Sequence, residues 1–249
     1  MKGAPALVLD FDGVICDSID ECFASSWIAF HTLYRKEAPS RVPAACRREF
    51  ARLRPFVRSG EDFLLIQQAI DQGGSPESQA EFDLLARAAG PATLQRFREL
   101  LQAARTRMRA KDREAWLALN RIYPHVLVSL ARMPWDAPLY VLSTKNTSLI
   151  AEILSSNGIG VPAERIRFSS SDQKLPAVER LRVESGRARA IFVDDQRDHF
   201  AGDAGAPGAV DPYLASWGYV REEWLRVPLL VPVLTPDGFL SLIEREFRD

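Results

Sequence analysis

The sequence has 249 residues, of which 47% are hydrophobic and 26% are charged, and its formal net charge is −1. This composition is ordinary for a soluble globular protein. A net charge near zero gives no overall attraction to nucleic acid or to an anionic membrane surface. No apolar run approaches the roughly 20 residues that span a bilayer. We therefore expect neither a nucleic-acid partner nor a membrane association.

The length allows one large domain or a core with an inserted segment. Three cysteines without CxxC spacing argue against a disulfide framework or a zinc site. The three histidines are isolated from one another, so a His-rich metal cluster is not expected. The N-terminal residues lack the pattern of a secretory signal, and we expect a cytoplasmic protein.

An apolar run at 7–9 ends in Asp10 and Asp12, and Gly13 follows at once. A short apolar run closed by a turn signal predicts a buried parallel strand. Residues two apart on an extended chain project to the same side, so both acids could face one site at the strand end, where α/β sheets bind ligands. Asp and Gly are also common in surface turns. From these residues alone, a turn and a catalytic site are equally open.

Helical patterns fill the region from about 18 to 122. Asp17 and Ser18 offer a helix N-cap just before an amphipathic stripe that runs from Ile19 to Phe30. Further segments rich in Ala, Leu, Arg, Glu and Gln predict helices near 44–53, 60–72, 77–89, 91–109 and 111–119. We expect no strand in this region.

From about 123 onward the pattern alternates between strands and helices. Strands are predicted at 138–142, 166–168, 190–193, near 208–210 and near 229–234, and helices after an N-cap at Asn146, at 175–183 and at 236–247. This alternation predicts an α/β fold with a Rossmann-like, doubly wound parallel sheet. The first strand lies far from the others in sequence. We therefore predict a core of residues 1–17 and 123–249, interrupted by an inserted all-helical domain at 18–122.

Three further candidates, Ser143, Thr144 and Lys174, come after the predicted strand at 138–142. Ser143 and Thr144 close this strand. Hydroxyls beside backbone N–H groups can bind phosphate, although Ser and Thr at the start of a helix are more often N-caps.

Lys174 lies before the helix at 175–183, and a lysine there could neutralise crowded negative charge. Most lysines are exposed surface residues. Lys145 competes for the same role but directly follows the Ser143 turn, so we consider it less well placed.

Asp194 and Asp195 close the predicted strand at 190–193. Two adjacent carboxylates are electrostatically unfavourable unless a cation or hydrogen bonds compensate them. Mg²⁺ prefers oxygen ligands, so a few carboxylates together with a phosphate would suit it. Asp198 follows closely, which leaves open which acid would bind the metal directly.

The four motifs together resemble those of the haloacid dehalogenase (HAD) superfamily, and its phosphatase branch in particular. In chain order they are Asp10-Phe11-Asp12-Gly13-Val14, Ser143-Thr144, Lys174 and Asp194-Asp195. The helical segment resembles the type-1 cap of phosphoglycolate phosphatases and β-phosphoglucomutases. Two details depart from the family pattern: Lys-Leu-Pro stands where Lys-Pro-x-Pro is frequent, and Asp-Asp stands where Gly-Asp is frequent.

The resemblance implies a Mg²⁺-dependent phosphatase that hydrolyses a small phosphorylated metabolite through a phosphoaspartyl intermediate. Asp10 would be the nucleophile and Asp12 the general acid and base. Ser143 and Lys174 would hold the phosphoryl oxygens. The implied Mg²⁺ ligands are Asp10, Asp12 through its backbone carbonyl, Asp194 and Asp195, with one of the last two binding directly.

Substrate binding is predicted at Gly13 and Thr144 and at Arg54 and Arg58 in the helical segment. Six arginines lie between positions 41 and 58, and arginine suits bidentate binding of phosphate or carboxylate. Most of these arginines fit a solvated helix face equally well. Two other functions stay open: a phosphomutase of the β-phosphoglucomutase type, and a non-catalytic binding protein that retains the fold.

Overall fold

The structure, a computed structural model, describes residues 3–36, 43–201, 208–226 and 231–247. The chain forms two compact units. Residues Met1–Asp17 and Arg121–Asp249 form the α/β unit, and residues Ser18–Asn120 form the helical unit. Arg41, one of the six arginines noted in the sequence, and positions 229 and 230 of the last predicted strand lie outside the described residues.

The α/β unit is built on a parallel sheet. Its strands are β1 (Ala6–Leu9), β4 (Leu139–Ser143), β5 (Ile166–Phe168), β6 (Ala190–Asp194), β7 (Val210–Ala215) and β8 (Val233–Leu234), in the order β5-β4-β1-β6-β7-β8. Every pairing in this sheet is parallel. The predicted α/β fold with a doubly wound parallel sheet is therefore confirmed.

Strand β1 lies in the middle of this sheet between β4 and β6. Its four residues are fully buried, as expected for an apolar strand that is covered on both faces. Leu9, the last residue of β1, is in register with Val141 of β4 and Val193 of β6. The residues that follow these three strands therefore emerge at one edge of the sheet.

Five helices in the described part of the α/β unit precede, connect or follow the strands of the parallel sheet. They are α7 (Pro124–Leu130), α8 (Thr147–Ser156), α9 (Lys174–Glu184), α10 (Glu222–Arg226) and α11 (Pro236–Phe247). The predicted N-cap of α8 is confirmed, because the Asn146 side chain accepts a hydrogen bond of 2.9 Å from the backbone N–H of Ser148. Helices α7 and α10 were not predicted, since seven and five residues hold too little of a 3.6-residue pattern.

A second sheet has only two short strands, β2 (Cys16–Asp17) and β3 (Arg121–Ile122), which pair antiparallel. We expected no strand between residues 18 and 122, and this expectation is wrong for the last two residues of that range, which form β3. A two-residue strand forms through its partner, which lies more than a hundred positions away here, and not through its own sequence pattern.

The helical unit contains the first six helices. They are α1 (Ile19–Tyr34), α2 (Ala44–Leu53), α3 (Phe63–Gln72), α4 (Gln79–Ala89), α5 (Pro91–Lys111) and α6 (Arg113–Ala118), with 3₁₀ turns at Arg54–Phe56 and Gly60–Asp62. Their core includes Phe23, Phe50 and Phe63. The ring centroid of Phe50 lies 5.2 Å from that of Phe23 and 5.5 Å from that of Phe63. Ser18 is the N-cap residue of α1, but its side chain makes no capping hydrogen bond.

A buried ion pair joins α1 to α5 inside the helical unit. The guanidinium of Arg105 donates to both carboxylate oxygens of Glu21, at 2.9 and 3.1 Å, and both side chains are buried. Two parallel hydrogen bonds of this kind are the strong form of an ion pair.

Among the helices that the structure describes, none combines the length and apolar character needed to cross a bilayer.

Candidate active site

Three neighbouring parallel strands bring polar side chains to one edge of the sheet. Asp10 directly follows β1, Ser143 is the last residue of β4, and Asp194 is the last residue of β6. All three residues are buried. The backbone N–H of Asp10 donates to the carbonyl of Val193 at 2.9 Å, which extends the β1–β6 pairing up to the acid itself. The sheet register thus brings together residues that are far apart in sequence.

Lys174 joins two of these acids. Its Nζ lies 2.9 Å from Oδ1 of Asp10 and 3.0 Å from Oδ2 of Asp194, and it donates to the carbonyl of Leu142 at 3.1 Å. The lysine is 1% exposed and is the first residue of α9. A buried ammonium is stable only when charges and hydrogen bonds satisfy it, and the two carboxylates and the carbonyl do so here.

His199 belongs to the same cluster and was missed by the sequence analysis, which treated the histidines as isolated. Its Nδ1 lies 3.0 Å from both carboxylate oxygens of Asp194, and the ring is buried. A 3₁₀ turn at Arg197–Phe200 folds the chain back and brings the ring to the acid. The only available signal in the sequence was a histidine five positions after an acid that ends a strand.

Burial and the charges of this cluster shift the pKa values of Lys174, Asp194 and Asp10. Burial alone would lower the pKa of Lys174, but the carboxylates of Asp10 and Asp194 outweigh it and raise the pKa to about 12. Burial opposes ionisation of Asp194, but His199 and Lys174 hold its pKa well below the ordinary value. Burial raises the pKa of Asp10, and the charge of Asp194 adds to this effect against the opposing charges of Lys174 and His199.

Asp195 packs tightly against the turn that follows β1. Gly13 in that turn has φ of +86°, and an added Cβ would lie 1.9 Å from Oδ2 of Asp195. A Cβ on Gly218 would lie 2.4 Å from Cβ of Asp195. The backbone N–H of Tyr219 donates to Oδ2 of Asp195 at 2.6 Å. Both glycines are therefore required for the position of this carboxylate.

Asp12 pairs with Lys145, the lysine that the sequence analysis judged less well placed. Nζ of Lys145 donates to Oδ1 of Asp12 at 3.0 Å, and the lysine side chain is 1% exposed. The backbone N–H of Lys145 also lies 3.3 Å from Oγ of Ser143, which ties the residue to the turn after β4. The site thus contains two buried lysines: Lys174 lies beside Asp10 and Lys145 beside Asp12.

The remaining predicted residues are divided between the two units. Thr144 is half-buried in the turn after β4. Arg54 and Arg58 lie in the helical unit, where the guanidinium carbon of Arg54 is 5.3 Å from the ring centroid of Phe63. Arg58 binds Asp83 through two hydrogen bonds of 2.7 and 3.2 Å. Substrate binding by the two arginines stays a prediction.

Several of these groups could hold a divalent cation. Ligand atoms of Asp10, Asp194 and His199 lie within 4.8 Å of one another, and Asp195 adjoins this cluster in sequence. Carboxylate oxygens suit Mg²⁺, and the imidazole adds a nitrogen donor that the predicted oxygen-only site did not include.

No protein-family model matches the sequence, and no curated protein matches it. Solved structures match its fold over nearly the whole chain. A Lactobacillus delbrueckii protein, named provisionally as a phosphoglycolate phosphatase, superimposes with a TM-score of 0.65 at 14% identity and 100% coverage of both chains. A haloacid dehalogenase-like family hydrolase from Streptococcus pneumoniae has a TM-score of 0.58 at 14% identity, covering 97% of this chain and 99% of its own.

The chain has the haloacid dehalogenase-like fold. A HAD-superfamily hydrolase of subfamily IA from Geobacter sulfurreducens agrees with this assignment, with a TM-score of 0.53 at 13% identity and 97% and 96% coverage of the two chains. The resemblance drawn from the four sequence motifs is thereby confirmed for the fold.

Proposed function

We propose that this HAD-like protein is a metal-dependent phosphatase that hydrolyses a small phosphorylated metabolite through a phosphoaspartyl intermediate. One observation carries the proposal: the buried ammonium of Lys174 joins Asp10 to Asp194 at the ends of adjacent parallel strands. A cluster of this kind suits a reaction in which a carboxylate approaches an anionic phosphate. The fold shared with proteins described as hydrolases adds support.

Asp10 is the proposed nucleophile. One of its oxygens forms a bond to phosphorus while the bond from phosphorus to the ester oxygen breaks, and the electron pair leaves with that oxygen. Lys174, which is already 2.9 Å from Asp10, offsets the negative charge that gathers around phosphorus. Ser143, at the end of the neighbouring strand, is the proposed hydrogen-bond donor to a phosphoryl oxygen.

Asp12 is the proposed general acid and base. Its side chain is 15% exposed, so it reaches the edge of the site, whereas Asp10 is deeper at 8%. Asp12 would protonate the leaving oxygen in the first step. It would then take a proton from water, whose oxygen attacks phosphorus, releases inorganic phosphate and restores the carboxylate of Asp10.

The donor set at the strand ends fits Mg²⁺, because it is rich in buried carboxylates. The proposed ligands are the carboxylates of Asp10 and Asp195 and the backbone carbonyl of Asp12. Asp194 is the alternative to Asp195: its ligand atom lies within 4.8 Å of that of Asp10, although its oxygens already accept hydrogen bonds from an ammonium, an imidazole and a backbone N–H. A divalent cation, when bound, supplies charge that offsets the repulsion between phosphate and the carboxylates.

Phosphate release from a panel of phosphorylated metabolites tests the proposal, with Mg²⁺ and with EDTA. The wild type should release phosphate only with the metal ion, and Asp10→Asn should abolish turnover while keeping the side-chain shape. Asp136→Asn is a matched control, since it removes an exposed acid of the α/β unit. Activity that survives in Asp10→Asn, or a folded, metal-loaded wild type that releases no phosphate from any ester, would contradict the proposal.

A further inference from the structure

Trp135 is the most exposed large hydrophobic side chain among the described residues. It lies in the loop between α7 and β4 and is 97% exposed. An exposed indole presents a large apolar surface to water, and tryptophan is enriched among the residues that dominate binding energy at protein interfaces. A single exposed hydrophobic residue is common on protein surfaces, so what lies beside Trp135 decides whether it marks a binding surface.

An apolar groove of about 390 Å³ opens beside Trp135, which forms part of its wall. We call it the Trp135 groove. It runs between the loop after α7 and the loop that joins α8 to β5, and its lining includes Leu127, Leu130, Ile159 and Val161. A contiguous apolar surface next to an exposed indole indicates a site where a second molecule binds.

The Trp135 groove lies at the other end of β4 from the candidate active site. Ala137 and Leu139 line the groove where the chain enters β4, whereas Ser143 ends the same strand at the site. The reaction proposed above uses none of the residues that line the groove. This surface therefore needs an explanation of its own.

Two charged side chains of opposite sign flank the groove, and neither has an ion-pair partner among the residues that the structure describes. Arg165 lines the groove and is half-buried. Its Nη1 donates to the carbonyl of Ala137 at 2.8 Å, and its guanidinium carbon lies 5.8 Å from the ring centroid of Tyr140. Asp136 directly follows Trp135 and is exposed. Each charge is therefore available to a group on another molecule.

These features make the surface complementary to itself. A two-fold axis brings the same surface of two copies together, so each copy must offer both halves of every contact. Trp135 and the groove supply a projecting group and a recess, and Asp136 and Arg165 supply the two signs of an ion pair. A formal net charge of −1 adds little repulsion between two copies. A second copy of this chain thus matches both the apolar and the charged features.

We propose that the protein forms a two-fold symmetric dimer through the Trp135 groove. Trp135 of each copy enters the groove of the other, and Asp136 of each copy pairs with Arg165 of the other. Fifteen residues line the groove, whereas a standard interface takes about 20–30 residues from each partner. We therefore expect a reversible dimer with a Kd on the order of micromolar. This inference does not rest on the proposed phosphatase activity.

Sedimentation velocity from micromolar to millimolar concentrations tests the inference on the full chain. The wild type should pass from monomer to dimer as its concentration rises. Trp135→Ala removes an anchor from both sides of the interface and should raise the Kd by about 30-fold or more. Val183→Ser is the matched control, because Val183 is 61% exposed on α9 and does not line the groove. Its Kd should equal that of the wild type.

An exchange of charges tests how the two copies are oriented. Asp136→Arg sets two cations against each other across the interface, and Arg165→Glu sets two acids against each other. Each single variant should weaken the dimer by about 10-fold or more, because like charges in contact are unfavourable. The double variant Asp136→Arg/Arg165→Glu restores opposite signs and should recover most of the wild-type affinity.

Three results would overturn the inference. A wild type that stays monomeric at the highest concentration would leave the groove to a different protein or to a small apolar ligand. A dimer whose Kd is unchanged in Trp135→Ala would be held together by another surface. A double variant that dimerises no better than the single variants would exclude the reciprocal pairing of Asp136 with Arg165. Thermal unfolding of each variant verifies that it is folded.

Discussion

Replacing Gly13 by alanine tests how the turn after β1 positions Asp195. Gly13 has φ of +86°, a backbone conformation that side chains disfavour. The new methyl group would lie 1.9 Å from Oδ2 of Asp195 and 2.9 Å from a ring carbon of Tyr219. These distances are too short for non-bonded atoms, so either the turn or the Asp195 carboxylate must move.

Two physical effects set the size of the loss. Left-handed backbone strain costs about 1–2 kcal/mol for an alanine. Forcing an extra methyl group into a packed site costs about another 1–3 kcal/mol. We therefore expect Gly13→Ala to lower the free energy of unfolding by about 2–5 kcal/mol, which corresponds to a fall of about 4–20 °C in Tm for a chain of this length.

Gly158→Ala provides the matched control in the same unit. Gly158 has a similar φ of +72°, but no atom lies within 4 Å of an added Cβ. This variant should show only the strain, about 1–2 kcal/mol. Urea unfolding and calorimetry measure both variants. Equal losses in the two variants would refute the tight packing of Asp195 against Gly13, and phosphate release should fall only in Gly13→Ala.

Three further predictions concern stability. Burial raises the pKa of Asp62 to about 6, so the folded protein holds this proton more tightly than the unfolded chain does. The folded protein therefore loses stability as pH rises from about 4 to 6. Over that interval, the free energy of unfolding of Asp62→Asn, measured in urea, should rise by up to about 3 kcal/mol relative to wild type. Glu21→Gln leaves the buried guanidinium of Arg105 without its anion and should cost about 3–5 kcal/mol in the same assay. His199→Phe removes the imidazole hydrogen bond to the buried carboxylate of Asp194 and should cost about 1–3 kcal/mol.

Each of these predictions has an outcome that contradicts it. A constant difference between Asp62→Asn and wild type from pH 4 to 7 would show that Asp62 titrates normally in the folded protein. Glu99→Gln breaks an exposed ion pair in the same unit and should change stability far less than Glu21→Gln; similar effects would mean that burial does not matter. An unchanged unfolding curve for His199→Phe would show that the imidazole contributes nothing to the cluster.

Much of the fold could be predicted from the sequence, because the relevant patterns are local. The apolar run at 7–9, closed by acids and a glycine, is β1 and the turn after it. The helices predicted near 44–53 and near 236–247 coincide with α2 and α11. Both are long enough for a 3.6-residue period to show, and a proline precedes or begins each of them.

Short elements were decided by tertiary structure. Asp17 and Arg121 pair in the β2–β3 ladder although 104 positions separate them. Neither two-residue strand has a periodic pattern of its own, so only the folded α/β unit brings the two segments together.

Some residues of the site could be predicted from the sequence, and others were revealed only by the tertiary structure. The sequence singled out Asp10 and Asp12, because acids that close an apolar strand are visible as a pattern, and it singled out Lys174 through the resemblance to the HAD motifs. It did not reveal that Lys145 lies beside Asp12, 133 positions away, or that His199 folds back onto the cluster. These contacts follow from the sheet register and the turn after β6, since distance in space depends on how strands align and not on spacing along the chain.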